Sequence, residues 1–132
     1  FCNISFGDAN SMVKELENLN SNTKNLIFSQ IVPSYANINI PIAKEYQELM
    51  KKYYPQEELG FLSFEAFLSS KILVNAISKM KGGITREKFL YMLKATPKNL
   101  LEGITLDYNK TQLSNHVYLF EYKNNQFIEI QK

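Results

Sequence analysis

The chain has 132 residues, 45% of them apolar, with eight Tyr and nine Phe. That much apolar surface supports a packed core and excludes an intrinsically disordered segment. The net charge is only +2, and Lys and Arg are scattered with just Lys51 and Lys52 adjacent, which excludes a basic nucleic-acid-binding patch. No apolar run approaches the length of a bilayer span, and Cys2 stands alone, so no disulfide can form within the chain.

Residues 1–6 (FCNISF) alternate apolar and polar like a strand already under way, and Gly7-Asp8 turns the chain into a helix. With no initiating Met and no signal-peptide pattern ahead of it, this start reads as part of a longer protein. Asp8 is placed to cap a helix whose Met12, Val13, Leu16 and Leu19 share one face. After a polar loop at 18–24, residues 26–32 form a nearly continuous apolar run, the pattern of a strand covered on both faces, and Pro33 stops it. Pro41 suits the first turn of the next helix, which turns Ile42, Tyr46, Leu49, Met50 and Tyr53 inward and Lys44, Glu45, Glu48, Lys51 and Lys52 to water.

Residues 61–93 read as a long helix, a Gly82-Gly83 break, a capping Thr85 and a second helix. Phe67, Ser70, Val74, Ile77 and Met80, with Leu73 beside them, make the helical stripe expected to be buried. Small Ala66, Ser69 and Ser70 would let that end approach a neighbouring backbone. Residues 103–108 alternate as a strand, and 117–122 and 127–130 as two more around an Asn124-Asn125 hairpin turn.

Chemistry-bearing patterns are sparse. His116, the one histidine, sits at a loop-to-strand junction and reads as a surface or strand-edge residue. Cys2 reads as a small buried hydrophobe, without a base to activate it. Glu57-Glu58 is a carboxylate pair in a polar turn, and Gly82-Gly83 lacks the lysine and hydroxyl of a phosphate loop. No clustered nucleophile, acid-base pair or metal set is visible, so catalysis, metal and cofactor are not expected. The strand-to-helix turn Ser5-Phe6-Gly7-Asp8 stands out, because ligands of open α/β sheets gather at strand carboxyl ends beside helix N-termini.

Taken in order, residues 1–19, NLIFSQIVPSY (25–35), PIAKEYQELMKKY (41–53), the 61–93 block, GITLDYN (103–109) and HVYLFEYKNNQFIEI (116–130) resemble the type I periplasmic solute-binding fold. The specific resemblance is to the branched-chain amino acid (leucine/isoleucine/valine) binding receptors. It covers nearly the whole chain and lies in the succession of segments, none of which is a sharp motif. It implies an α/β fold, the C-terminal portion of a two-lobed receptor with parallel-sheet strands, flanking helices and a terminal hairpin. Residues 1–32 and 116–132 would come from one lobe and 33–108 from the other.

The same resemblance implies binding of a small polar solute, amino-acid-like or a small organic acid, in the cleft between lobes, outside the cytoplasm, for uptake by an ABC transporter. The alternative it offers is the ligand-sensing domain of a membrane kinase or cyclase. The partners implied are a small-molecule ligand and a membrane permease or sensor, with self-association of the isolated piece through uncovered apolar edges. Carried over by position, Ser5 and Phe6 face the ligand's polar head, and Phe61, Ser63 and Phe64 form the start of the long helix where an aromatic wall meets the cleft. Two departures matter. The acid nearest the Ser5 turn is Asp8, free to act only as a cap, and the family's Gly-Tyr in the long helix is Ala66-Phe67, which loses a hydroxyl. Both point away from a zwitterionic amino acid.

Overall fold

A computed structural model describes residues 2–4, 7–108 and 112–130. Its strands are β1 (Cys2–Asn3), β2 (Leu26–Gln30), β3 (Tyr118–Lys123) and β4 (Gln126–Glu129), forming one sheet in the order β1-β2-β3-β4. β1 and β2 are parallel, and the other two pairings are antiparallel. Four helices, α1 (Ala9–Asn18), α2 (Pro41–Tyr53), α3 (Phe61–Ser78) and α4 (Arg86–Lys94), complete the chain.

The sheet has one dry face. In β2 the period of two turns Leu26, Phe28 and Gln30 inward and leaves Ile27 and Ser29 half-buried on the other side. The expected double-sided strand is therefore covered mainly on one side, and it stops at Gln30 because residues 31–32 bend ahead of Pro33. Register aligns Leu26 with Tyr122 and Tyr122 with Phe127, and aligns Phe28 with Phe120, stacking aromatic rings on that inner face. Asn124 and Asn125 adopt φ of 53° and 58°, the left-handed pair that a two-residue hairpin needs to follow strand twist. Cys2 is exposed rather than buried, because β1 is an edge strand among the described residues.

Local chemistry sets the helix starts. The Asp8 carboxylate accepts from the Ser11 amide, Pro41 occupies the first turn of α2, and Thr85 Oγ1 accepts from the Lys88 amide. In α1, Ala9 and Val13 are buried and Met12 and Leu16 lie against the core, whereas Leu19 falls past the helix end and is exposed. In α2, Ile42, Ala43 and Tyr46 are buried, while the expected Tyr53 is 60% exposed at the last turn.

α3 departs most from expectation. Its buried residues are Phe61, Phe64, Leu68 and Ala76, while Val74, Ile77 and Leu73 of the expected stripe face outward. Apolar residues fall on every side of this helix, interspersed with Glu65, Lys71 and Asn75, so periodicity could not select the inner face. Against the expectation of no span-length apolar stretch, its 18 residues are long and apolar enough to cross a membrane by length and composition, a test that core helices meet as well. α3 ends at Ser78, and of the two following glycines only Gly82 takes positive φ.

Residues 103–108 form no strand. Gly103, at φ 90°, makes a turn bridged by Leu101 and Ile104, and the Leu106 and Asp107 amides donate to isolated carbonyls of Lys98 and Leu113. Alternation alone cannot make a strand without a neighbouring strand to pair with. Leu101 and Leu106 are nonetheless buried.

Phe61 ties the helices to the sheet. Its ring lies 4.8 Å from Phe120, 5.2 Å from Phe127 and 4.9 Å from Tyr35, centroid to centroid. Behind it, Tyr46 packs on Phe64 and Phe67, and Lys71 pairs with Glu45 at 2.7 Å to join α2 to α3.

Candidate functional site

Two open cavities flank α1. The first, about 380 Å³, lies between the start of α1 and the start of α3, walled by Asp8, Asn10, Ser11 and Lys14 on one side and by residues 56–60, Leu62 and Ser63 on the other. The second, about 510 Å³, lies between α1, residues 34–36 and the β3–β4 turn, and includes Tyr35, Tyr122 and Phe127.

The first cavity joins two helix N-termini, yet neither is left with the same chemistry. The Asp8 carboxylate already accepts from the backbone and hydroxyl of Ser11, so α1 supplies its own anion. α3 starts at Gly60, which has no capping side chain. There the Ser63 hydroxyl donates to the Gly60 carbonyl at 3.2 Å and meets the Tyr46 hydroxyl at 2.6 Å, while the Gly60 amide donates to Tyr46 at 3.3 Å. With Ser63 donating to Gly60, the Tyr46 hydroxyl is left to donate to Ser63. This network fixes the backbone at the helix start and holds Ser63 at the cavity wall.

Asn10 lines both cavities and links the two sides. Its amide nitrogen donates to the Tyr35 hydroxyl at 3.0 Å and to the Leu59 carbonyl at 3.4 Å. A carbonyl can only accept, so this contact sets the amide's orientation and leaves Asn10 Oδ1 buried with no hydrogen-bond partner among the described residues. Across the mouth, Lys14 forms an ion pair with Glu58, both more than half exposed. In the second cavity, the Tyr122 hydroxyl donates to Glu17 Oε1 at 2.9 Å. Burial, with that bond and the Glu17 charge behind it, pushes the Tyr122 phenol up to about 12, and burial also raises Tyr35 against the opposing bond from Asn10.

Of the residues expected from sequence, Ser63 lines the first cavity. Phe61 and Phe64 lie in the core, 2% and 0% exposed, packed behind that wall. Ser5 and Phe6 fall outside the described residues. Asn10, Ser11, Lys14 and Tyr35 were not anticipated. Asp8 and Ser11 at cap spacing carry a local signal, but the joining of Asn10 to Tyr35 and Leu59 is long-range. His116 is exposed and rests against Tyr118 at 4.4 Å, and no metal-holding cluster of His, Cys, Asp and Glu occurs among the described residues.

No family model and no curated protein matches the sequence. Solved structures do. A possible leucine/isoleucine/valine-binding protein from Rhodopirellula baltica superimposes at TM-score 0.86 with 25% identity, over 99% of this chain and 35% of its own. An extracellular ligand-binding receptor from Verminephrobacter eiseniae gives 0.76 with 21% identity, over 96% and 36%. A substrate-binding periplasmic protein from Ralstonia solanacearum gives 0.78 with 19% identity, over 98% and 37%. The chain thus spans little more than a third of the length of these structures. It has the fold of a portion of the type I periplasmic solute-binding proteins.

Proposed function

We propose that this chain is the C-terminal portion of an extracytoplasmic receptor that binds a small polar solute, amino-acid-like or a small organic acid, and delivers it to a membrane transporter of the ABC type. The observation that carries this reading is the first cavity, where the start of α1 meets the start of α3 across a seam bridged by Asn10 and by Lys14–Glu58. All four described strands come from residues 2–30 and 118–129, and α2 to α4 from residues 41–94, which supports one lobe built from 1–32 and 116–132 and a second from 33–108. Solute receptors bind in such seams and close around the ligand.

In this reading Ser5, Phe6 and Ser63 contact the ligand, and Phe61 and Phe64 back the wall that carries Ser63. The lining is mainly polar, with Asn10, Ser11, Gln56 and Ser63 beside Asp8, Lys14, Glu57 and Glu58, and this suits a small hydrogen-bonding solute better than an aliphatic one. The test is a thermal-shift screen of the complete gene product against amino acids and small carboxylates. A true ligand at a hundred times its Kd adds about 2.7 kcal/mol of stability and a clear rise in Tm. No rise with any of these compounds would sink the reading.

A further inference from the structure

The second cavity combines an aromatic lining with a single unpaired carboxylate. Val13 and Tyr122 in its wall are buried, and Tyr35 and Phe127 are half-buried. The rings are braced from behind: Tyr122 lies 5.1 Å from Phe127, and Tyr35 lies 4.9 Å from Phe61, centroid to centroid. Glu17, exposed on the same wall, accepts one side-chain hydrogen bond among the described residues, from the Tyr122 hydroxyl to Oε1. It has no ion pair among those residues. Lys14, one turn earlier on α1, pairs instead with Glu58, which lines the first cavity and not the second.

Such a lining selects by charge. The face of an aromatic ring carries the negative part of its quadrupole and attracts a cation. A carboxylate beside apolar surface makes a stronger bond to an ammonium than the same group in open water. An anion would meet the Glu17 charge and the ring faces, with Lys14 already engaged. At about 510 Å³ the cavity falls within the range of about 300–1,000 Å³ usual for small-molecule sites. We infer that it is a second binding site, for a small organic cation made of a primary ammonium on an aromatic body. Glu17 Oε2 takes the ammonium while Oε1 keeps its bond from Tyr122, and Tyr35, Tyr122 and Phe127 take the body. The site does not depend on the solute reading, because Glu17, Tyr122 and Phe127 have no part in the first cavity.

Calorimetric titration of the complete gene product tests it with three probes of one shape: phenethylammonium, phenethyl alcohol and phenylacetate. The ammonium should bind about tenfold or more tighter than the other two. Glu17→Gln, which keeps an acceptor for Tyr122, should weaken the ammonium by about tenfold or more and bring it level with the alcohol. Glu15→Gln, an exposed acid of α1 outside both cavities, should leave its affinity within about twofold. Should Glu17→Gln not fold, Ala36→Trp fills the same cavity without altering a charge and should abolish binding of the ammonium. No binding of the ammonium overturns the inference, as does equal binding of all three probes, which would mark a merely apolar hollow. Tighter binding of phenylacetate overturns it in favour of an anion site at Lys14. Equal losses in Glu17→Gln and Glu15→Gln also overturn it, since they would assign the attraction to the general surface charge of α1.

Discussion

The two ends of helix α3 are made of similar side chains and meet different fates. At its start, Phe61 and Phe64 are sealed among Phe120, Phe127, Tyr35 and Tyr46, where the sheet, α2 and the 34–36 connector converge. Three turns later Leu73, Val74 and Ile77 are no less apolar, and they stand in the open. Hydrophobicity makes burial favourable, but only topology supplies something to be buried against. A chain whose start is locked and whose far half is bare should therefore respond very differently to substitutions a few turns apart.

The sharpest test of that contrast is truncation at each end. Phe61→Ala should cost about 3–5 kcal/mol in urea unfolding, because it empties the site joining helices to sheet, whereas Val74→Ala should stay within about 0.5 kcal/mol. Comparable losses at both positions would mean that the outer face is already covered in the isolated chain. Next in size is Gly103→Ala. Gly103 holds φ 90°, and an added Cβ would meet Ile40 Cγ2 at 2.9 Å and Pro41 Cδ at 3.0 Å, so a loss of about 1–3 kcal/mol is expected by the same measurement. That result would show the helical layer anchored at the start of α2 as well as at Phe61.

The smallest effect tests the sheet side. Tyr122 ionises near pH 10 when unfolded and near 12 in the folded chain. Between those values the unfolded state has lost a proton that the folded state keeps, so stability should fall as pH rises through 10 to 12 and be unaffected by this group below that window. Tyr122→Phe should cost about 1 kcal/mol at neutral pH through the lost bond to Glu17, and it should flatten the alkaline decline. An alkaline slope unchanged in the variant would assign the decline to another group.

Features fixed by near neighbours in the chain were legible from residues alone. Asp8, Pro41 and Thr85 mark helix starts by side-chain oxygens or a preset φ, and Asn124-Asn125 marks the hairpin because Asn tolerates the left-handed region. The succession of these pieces also carried the fold resemblance that superposition now supports. The candidate site was only partly legible. Ser63 at its wall was expected, but its bonds to Tyr46 and Gly60, and the reach of Asn10 to Tyr35 and Leu59, link residues up to 49 positions apart.

By itself, then, the sequence determined where helices begin, where the hairpin turns and that the chain carries more apolar surface than a surface helix needs. Those are local properties of φ, capping and composition. Only the tertiary structure decided which side of α3 is inner, that residues 103–108 turn instead of pairing, and that Cys2 lies on the edge strand of the sheet among the described residues. Each of these depends on which partner the topology places alongside, and no local pattern encodes that partner.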